Sequence, residues 1–96
     1  MLIGGIYKFR AGSDARVGLK RFQAWAPPAG FFFQGHWARA DNTGGVFLAE
    51  VETAAAAFEA TAAFADQIEF DIVPVLDIME SVPLSLKVLS WIDSVS

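Results

Sequence analysis

Two runs of alternating side chains on either side of a turn-forming Asp-Asn-Thr-Gly-Gly constrain this chain more than any other stretch. Residues Phe31 to Glu52 read FFFQGHWARADNTGGVFLAEVE, the pattern of a β-hairpin with a short loop. In the first run Phe31, Phe33, Gly35, Trp37 and Arg39 alternate with Phe32, Gln34, His36 and Ala38. In the second, Phe47, Ala49 and Val51 oppose Val46, Leu48 and Glu50. The wholly apolar set Phe47, Ala49 and Val51 is expected to face the core, which leaves Glu50 on the other face. The face taken by His36 depends on register, and a one-residue slip reverses it.

The segments around the hairpin supply what it must pair with. Leu2 to Arg10 reads as a strand with Ile3, Gly5, Tyr7 and Phe9 on one side and Leu2, Gly4, Ile6 and Lys8 on the other. Both sides are largely apolar, so the strand belongs at the centre of a sheet. Gly4 and Gly5 mark a bulge or a close approach by another group. Ser13 is the expected N-cap of a helix with Asp14 in its first turn. Ala15, Leu19, Phe22 and Ala26 form that helix's stripe, with Trp25 on its flank, and Pro27-Pro28 ends it.

Thr53 is the expected cap of a second helix, AAAAFEATAAFAD, whose apolar face holds Ala54, Ala57, Phe58, Thr61, Phe64 and Ala65. Ile68 to Ile78 reads as the last strand, and Pro74 assigns it to an edge or a bulge. In the tail SVPLSLKVLSWIDSVS, Ser81 or Ser85 would cap a short helix striped by Leu84, Val88, Trp91 and Ile92. An element this apolar must dock on its own domain or on a partner.

The order is β-α-β-β-α-β plus a C-terminal helix. One four-stranded antiparallel sheet with the helices on one face is the ferredoxin-like α+β solution. Right-handed crossovers put the first and third strands at its centre. Residues 1–78 make the domain and 79–96 an extension. The uncovered face would carry several of Ile3, Val46, Leu48 and the hairpin aromatics. At 54% hydrophobic residues, with nine phenylalanines and three tryptophans in 96 residues, the chain is apolar for one small interior. Two sheets packed face to face in a homodimer would cover the surplus.

Charge and composition exclude several functions. A net charge of −4 gives no excess of Lys and Arg to displace counterions from phosphates, so no nucleic-acid partner is expected. Without cysteine there are no disulfides, thiolate metal sites or cysteine nucleophiles, which suits a reducing cytoplasm. The opening MLIGGIYKFR has no basic leader and reaches Lys8 early, so no secretory signal is expected. No apolar run approaches the ~20 residues of a membrane span, so no membrane partner is expected either. One histidine and scattered carboxylates leave no metal spacing, and no glycine loop joins a strand to a helix to hold a cofactor phosphate. No cofactor is expected.

The candidate chemistry is accordingly sparse. His36 is the natural general base or acid near neutral pH; its structural alternative is a strand histidine bonded to a neighbour. Glu50, facing an apolar cavity, would be a desolvated proton carrier; its alternative is an ion pair with Arg39 or another subunit. Tyr7 would donate a hydrogen bond to a substrate oxygen; its structural alternative, an amphipathic core tyrosine, is the commoner role. Trp37 would stack on a planar ligand, although a strand tryptophan is more often core or dimer interface, and Tyr7 or Arg39 would stabilise a developing anion. A closed cavity lined by His36 or Glu50, with one further polar group pointing in, is what an enzyme would require.

The segments APPAGFFFQGHW, GGVFLAEVE and FADQIEFDIVPVLD resemble an uncharacterised domain-of-unknown-function family of short bacterial proteins. The likeness covers positions 1 to 78. It rests on the proline pair and glycine before the second strand, Gly35-His36-Trp37, Glu50, and the Phe70 to Pro74-Val75 ending. That family is similar to the dimeric α/β-barrel group of ferredoxin-like folds, which includes cofactor-independent monooxygenases and muconolactone-isomerase-like proteins. Two functions are expected: a cofactor-independent enzyme of isomerase, cyclase or monooxygenase type acting on a small apolar or aromatic molecule, or a non-catalytic dimeric module that binds a small apolar ligand or a protein partner. The resemblance implies the fold and a homodimer. It supplies no catalytic residues.

Overall fold

Seven elements follow one another in the computed structural model, which describes residues 1–96 throughout. They are β1 (Leu2–Phe9), α1 (Ala15–Ala24), β2 (Phe31–Ala38), β3 (Gly44–Val51), α2 (Ala54–Ala62), β4 (Ile68–Pro74) and α3 (Ile78–Val95). The strands form one antiparallel sheet in the order β2-β3-β1-β4. This is the expected ferredoxin-like α+β arrangement, with β1 and β3 central. β4 is an edge strand, where the missing N–H of Pro74 leaves no gap inside the sheet.

Local hydrogen bonds shift several boundaries from their expected places. Asp14, not Ser13, caps α1, its side chain accepting from the Arg16 amide at 2.9 Å. The Ser13 amide is already used by the Arg10 carbonyl, closing a turn in which Gly12 has φ +81°. Thr53 caps α2 as expected, accepting from the Ala56 amide at 3.1 Å. α2 stops at Ala62, because the chain tightens into turns whose carbonyls are taken by arginines. Arg21 donates to the Ala63 carbonyl and Arg10 to that of Ala65, satisfying groups a helix end leaves unpaired. β4 ends at Pro74 rather than at residue 78, and Asp77 caps α3 through the Met79 amide. α3 is therefore 18 residues long and carries Pro83 inside it, instead of a short helix capped by Ser81 or Ser85.

The helix faces also differ from expectation. α1 turns Gly18, Arg21, Phe22 and Trp25 toward the rest of the fold, and leaves Leu19 61% exposed. The bidentate Arg21–Asp66 pair, at 2.6 and 3.1 Å, sets this rotation. α2 buries Ala56 and Ala60, with Phe64 just beyond its end, while Phe58 points outward. The small residues Ala56 and Ala60 permit the closest approach to the sheet, and the one large residue of the helix, Phe58, is left outside.

The core lies between α2 and one sheet face. Ile3, Phe31, Phe47, Ala49 and Val51 meet Ala56 and Ala60 there. Phe47, Ala49 and Val51 thus face the helices as the alternation implied. Ile3 is also in this core, paired with Ala49, and does not belong to the open face. The β1 glycines serve close approach: the Phe47 ring occupies the space a Cβ on Gly5 would need, and Val75 lies against Gly4 on the other side.

The opposite sheet face has no cover. Cross-strand rows there join Phe32, Glu50 and Leu2; Gly35, Leu48, Gly4 and Val73; and Trp37, Val46, Ile6 and Asp71. Phe32, Trp37, Ile6, Val46 and Val73 are all exposed. α3 buries none of its residues. No helix is long and apolar enough to cross a membrane.

Candidate functional site: an aromatic rim around Tyr7 and His36

A β-bulge decides which candidate residues meet. The β2–β3 register shifts between Phe33 and Gly35, so Phe33 faces Ala49 while Gly35 faces Leu48 and His36 faces Phe47. Gln34 is the extra residue, and everything after it changes face. His36 therefore joins the helix-facing side with Phe33 and Phe47, and Trp37 moves to the open face beside Val46. Strict alternation had placed Trp37 with Phe31 and Phe33. Gly35 makes the arrangement possible, because the Trp37 indole lies where its Cβ would be.

His36 Nε2 lies 2.7 Å from the Tyr7 hydroxyl. The imidazole stacks on Phe33 at 5.0 Å between ring centroids and 8° between planes, and meets Phe22 and Phe47 edge-on at 5.7 and 6.2 Å. Tyr7 contacts Phe9, Phe47 and Phe70 in turn. Gly45, opposite Tyr7 in the ladder, has no side chain to occupy the space of the phenol. Burial against these rings lowers the His36 pKa below its ordinary 6.5 and raises that of Tyr7 above 10.0. Both groups are neutral at pH 7.

A neutral pair of this kind has two hydrogen-bonding states. When the Tyr7 O–H donates to Nε2, His36 keeps a donor at Nδ1. When Nε2–H donates to the phenol oxygen, Tyr7 keeps its O–H and Nδ1 becomes an acceptor. In either state the pair offers one donor and one acceptor to a third molecule. His36 is exposed at the rim, so such a molecule can reach it.

The other candidates lie elsewhere. Glu50 is on the open face, where its carboxylate accepts from the Met1 amino group at 2.6 Å; that amino group also donates to the Val51 carbonyl at 2.9 Å. Arg39 sits at the hairpin turn in a two-bond pair with Asp41, at 3.2 and 2.7 Å. The Asp41 carboxylate also accepts from the Thr43 hydroxyl, and with Arg39 this lowers its pKa to about 2. Arg39 thus orders the turn. The structure brings Tyr7 and His36 together and separates them from Glu50, Trp37 and Arg39.

Sequence reasoning had not marked Phe22, Phe33 or Gly45 as parts of a site. Phe22 reads as part of the α1 stripe and Phe33 as one of the hairpin aromatics, and only the bulge sets Phe33 beneath the histidine. The His, Asp and Glu side chains do not gather into any group of three or more suited to a metal ion. Two open depressions lie away from the rim. One, of about 570 Å³, is lined by Ile6, Lys8, Arg10, Glu69, Phe70 and Asp71. The other, of about 540 Å³, runs along α3 between Leu76, Leu84, Val88 and Leu89.

No curated protein and no solved structure matches the chain. A family match spans residues 3–89, running past β4 and through most of α3. With nearly the whole sheet, α1, α2 and the Tyr7–His36 pair inside that span, the chain belongs to the family described as Domain of unknown function (DUF3303).

Proposed function

We propose that this protein is a homodimer that binds a small, largely apolar or aromatic molecule carrying an oxygen, at the rim of Tyr7, His36 and their surrounding phenylalanines. A second copy covers the open sheet face. The observation that carries the ligand reading is the 2.7 Å Tyr7–His36 hydrogen bond set among aromatic rings. The rings supply stacking surface worth ~0.5–1.5 kcal/mol per aromatic contact beyond area burial. The neutral pair supplies one donor and one acceptor for the oxygen.

Binding takes precedence over catalysis because the rim is open. Proton-transfer sites gain from closure against water, and His36 is exposed. A cofactor-independent enzyme of isomerase type is the second reading, favoured by the pairing itself. With Nε2–H donating to the phenol oxygen, Nδ1 takes a proton from a carbon next to a carbonyl while the Tyr7 O–H donates to the developing enolate oxygen. For a β,γ-unsaturated carbonyl compound the enolate is a dienolate, and return of that proton from Nδ1 to its γ-carbon moves the double bond into conjugation and restores the pair.

Titration of the protein into naphthol, followed at the naphthol ring protons by NMR, tests the binding reading. The expected result is a saturable shift, with affinity falling about 3- to 10-fold in Tyr7→Phe and in His36→Ala. Saturable binding unchanged by both substitutions, or no binding, would sink it. Deuterium exchange into the methyl group of acetophenone tests the second reading. Exchange that is no faster with the protein than with buffer removes catalysis and leaves binding standing.

A further inference from the structure

We infer that α3 is an exchanged arm: in the dimer, each copy's α3 lies across the open sheet face of the other copy. This rests on the proposal that a second copy covers that face, and it names the element that does so.

Surface area is the first support. A compact monomer of this mass exposes about 5,400 Å², whereas this chain exposes 6949 Å². Its radius of gyration is 17.3 Å, against about 12.5 Å for a compact domain of this length. Covering the surplus of about 1,500 Å² on each of two copies removes about 3,000 Å², within the range of obligate homodimer interfaces.

The character of α3 is the second. Placing its residues at ~100° steps gives a polar arc holding Pro83, Ser90, Ser94, Lys87 and Glu80. The remaining arc of about 240° is apolar apart from Ser81, Ser85 and Asp93. A helix lying on a membrane interface needs a polar face rich in Lys and Arg. α3 has one basic residue, Lys87. A helix apolar over most of its circumference is a buried helix. Yet Leu84, Leu86, Val88, Leu89 and Trp91 are each more than half exposed in the single chain.

Dimensions agree. At 18 residues α3 is about 27 Å long, and the eight-residue central strands are about 26 Å. Four strands span ~14 Å between outer axes, and one helix with its side chains is ~10 Å across. One helix laid along the strands therefore covers most of the face. Sheet packed on sheet would leave α3 in water. An exchanged α3 removes both uncovered surfaces at once, in a two-fold arrangement where each copy gives what it receives.

Because the chain has no cysteine, single cysteines report contacts without background. Val46→Cys sits at the centre of the open face and Val88→Cys on α3, both at exposed positions that leave the core intact. The two full-length variants are co-refolded and treated with a short bismaleimide linker. The expected product is a covalent Val46→Cys/Val88→Cys heterodimer, with little Val46→Cys homodimer. A second pair, Ile6→Cys with Leu84→Cys, should behave the same way. Homodimers of Val46→Cys without heterodimer in either pair would overturn the exchanged arm and leave the dimer standing. Only uncrosslinked monomer, with monomer also in sedimentation, would overturn both.

Discussion

His36 is the chain's one histidine, so its titration can be followed by NMR without assignment. Burial against Phe22, Phe33 and Phe47 should place its pKa below 6.5. The folded state then binds fewer protons than the unfolded state between the two pKa values, so stability rises with pH there. The stabilisation is present above about pH 6.5 and is lost as pH falls through the folded pKa. Chemical denaturation from pH 8 to pH 5 should show this loss, and His36→Gln should flatten that part of the profile. A wild-type titration at or above 6.5 would contradict the placement of the ring. Gly5 gives a separate test. The Phe47 ring fills the space above it, so Gly5→Ala should cost ~1–3 kcal/mol by overpacking. An unchanged denaturation midpoint would show that the ring is not held there.

The hairpin was the most legible element, because its alternation and its Asp-Asn-Thr-Gly-Gly turn are local signals. Asn42 takes the left-handed φ of 61° such a turn needs, and Asp41 locks it through Thr43 and Arg39. Asp41→Ala should loosen the hairpin, with faster amide exchange at Thr43 and at Arg39. With its pKa lowered to about 2, the Asp41 contribution is complete above pH 3.8 and is lost as pH falls through 2. The bulge was illegible: one extra residue leaves composition and spacing unchanged, yet it sends His36 and Trp37 to faces opposite to those strict alternation gives. Helix existence was also legible, whereas helix facing was not. In α1 the rotation follows from Arg21 and its distant partner Asp66, which no local period encodes. In α2 alanines lie on every side of the helix, so no stripe stands out. The Thr53 cap, by contrast, is a local signal; Thr53→Ala should cost about 1 kcal/mol in thermal or chemical denaturation.

For the whole molecule, the high apolar content carried the most information and the least address. It indicated that more surface needs covering than one small core can cover. The chain buries Ile3, Phe31, Phe47, Val51 and Phe64 but leaves Phe32, Trp37, Phe58 and Trp91 exposed. Sequence periodicity says which side of a strand is apolar, not what lies against it. The position of the proposed ligand rim follows the same logic, since residues 29 apart in sequence, Tyr7 and His36, meet only through the β1–β3–β2 ladder. The proposal that the open sheet face is covered by a second copy is tested most directly by sedimentation velocity at micromolar concentration. The account predicts a single species at twice the 10.4 kDa chain mass; a stable species at 10.4 kDa would contradict it.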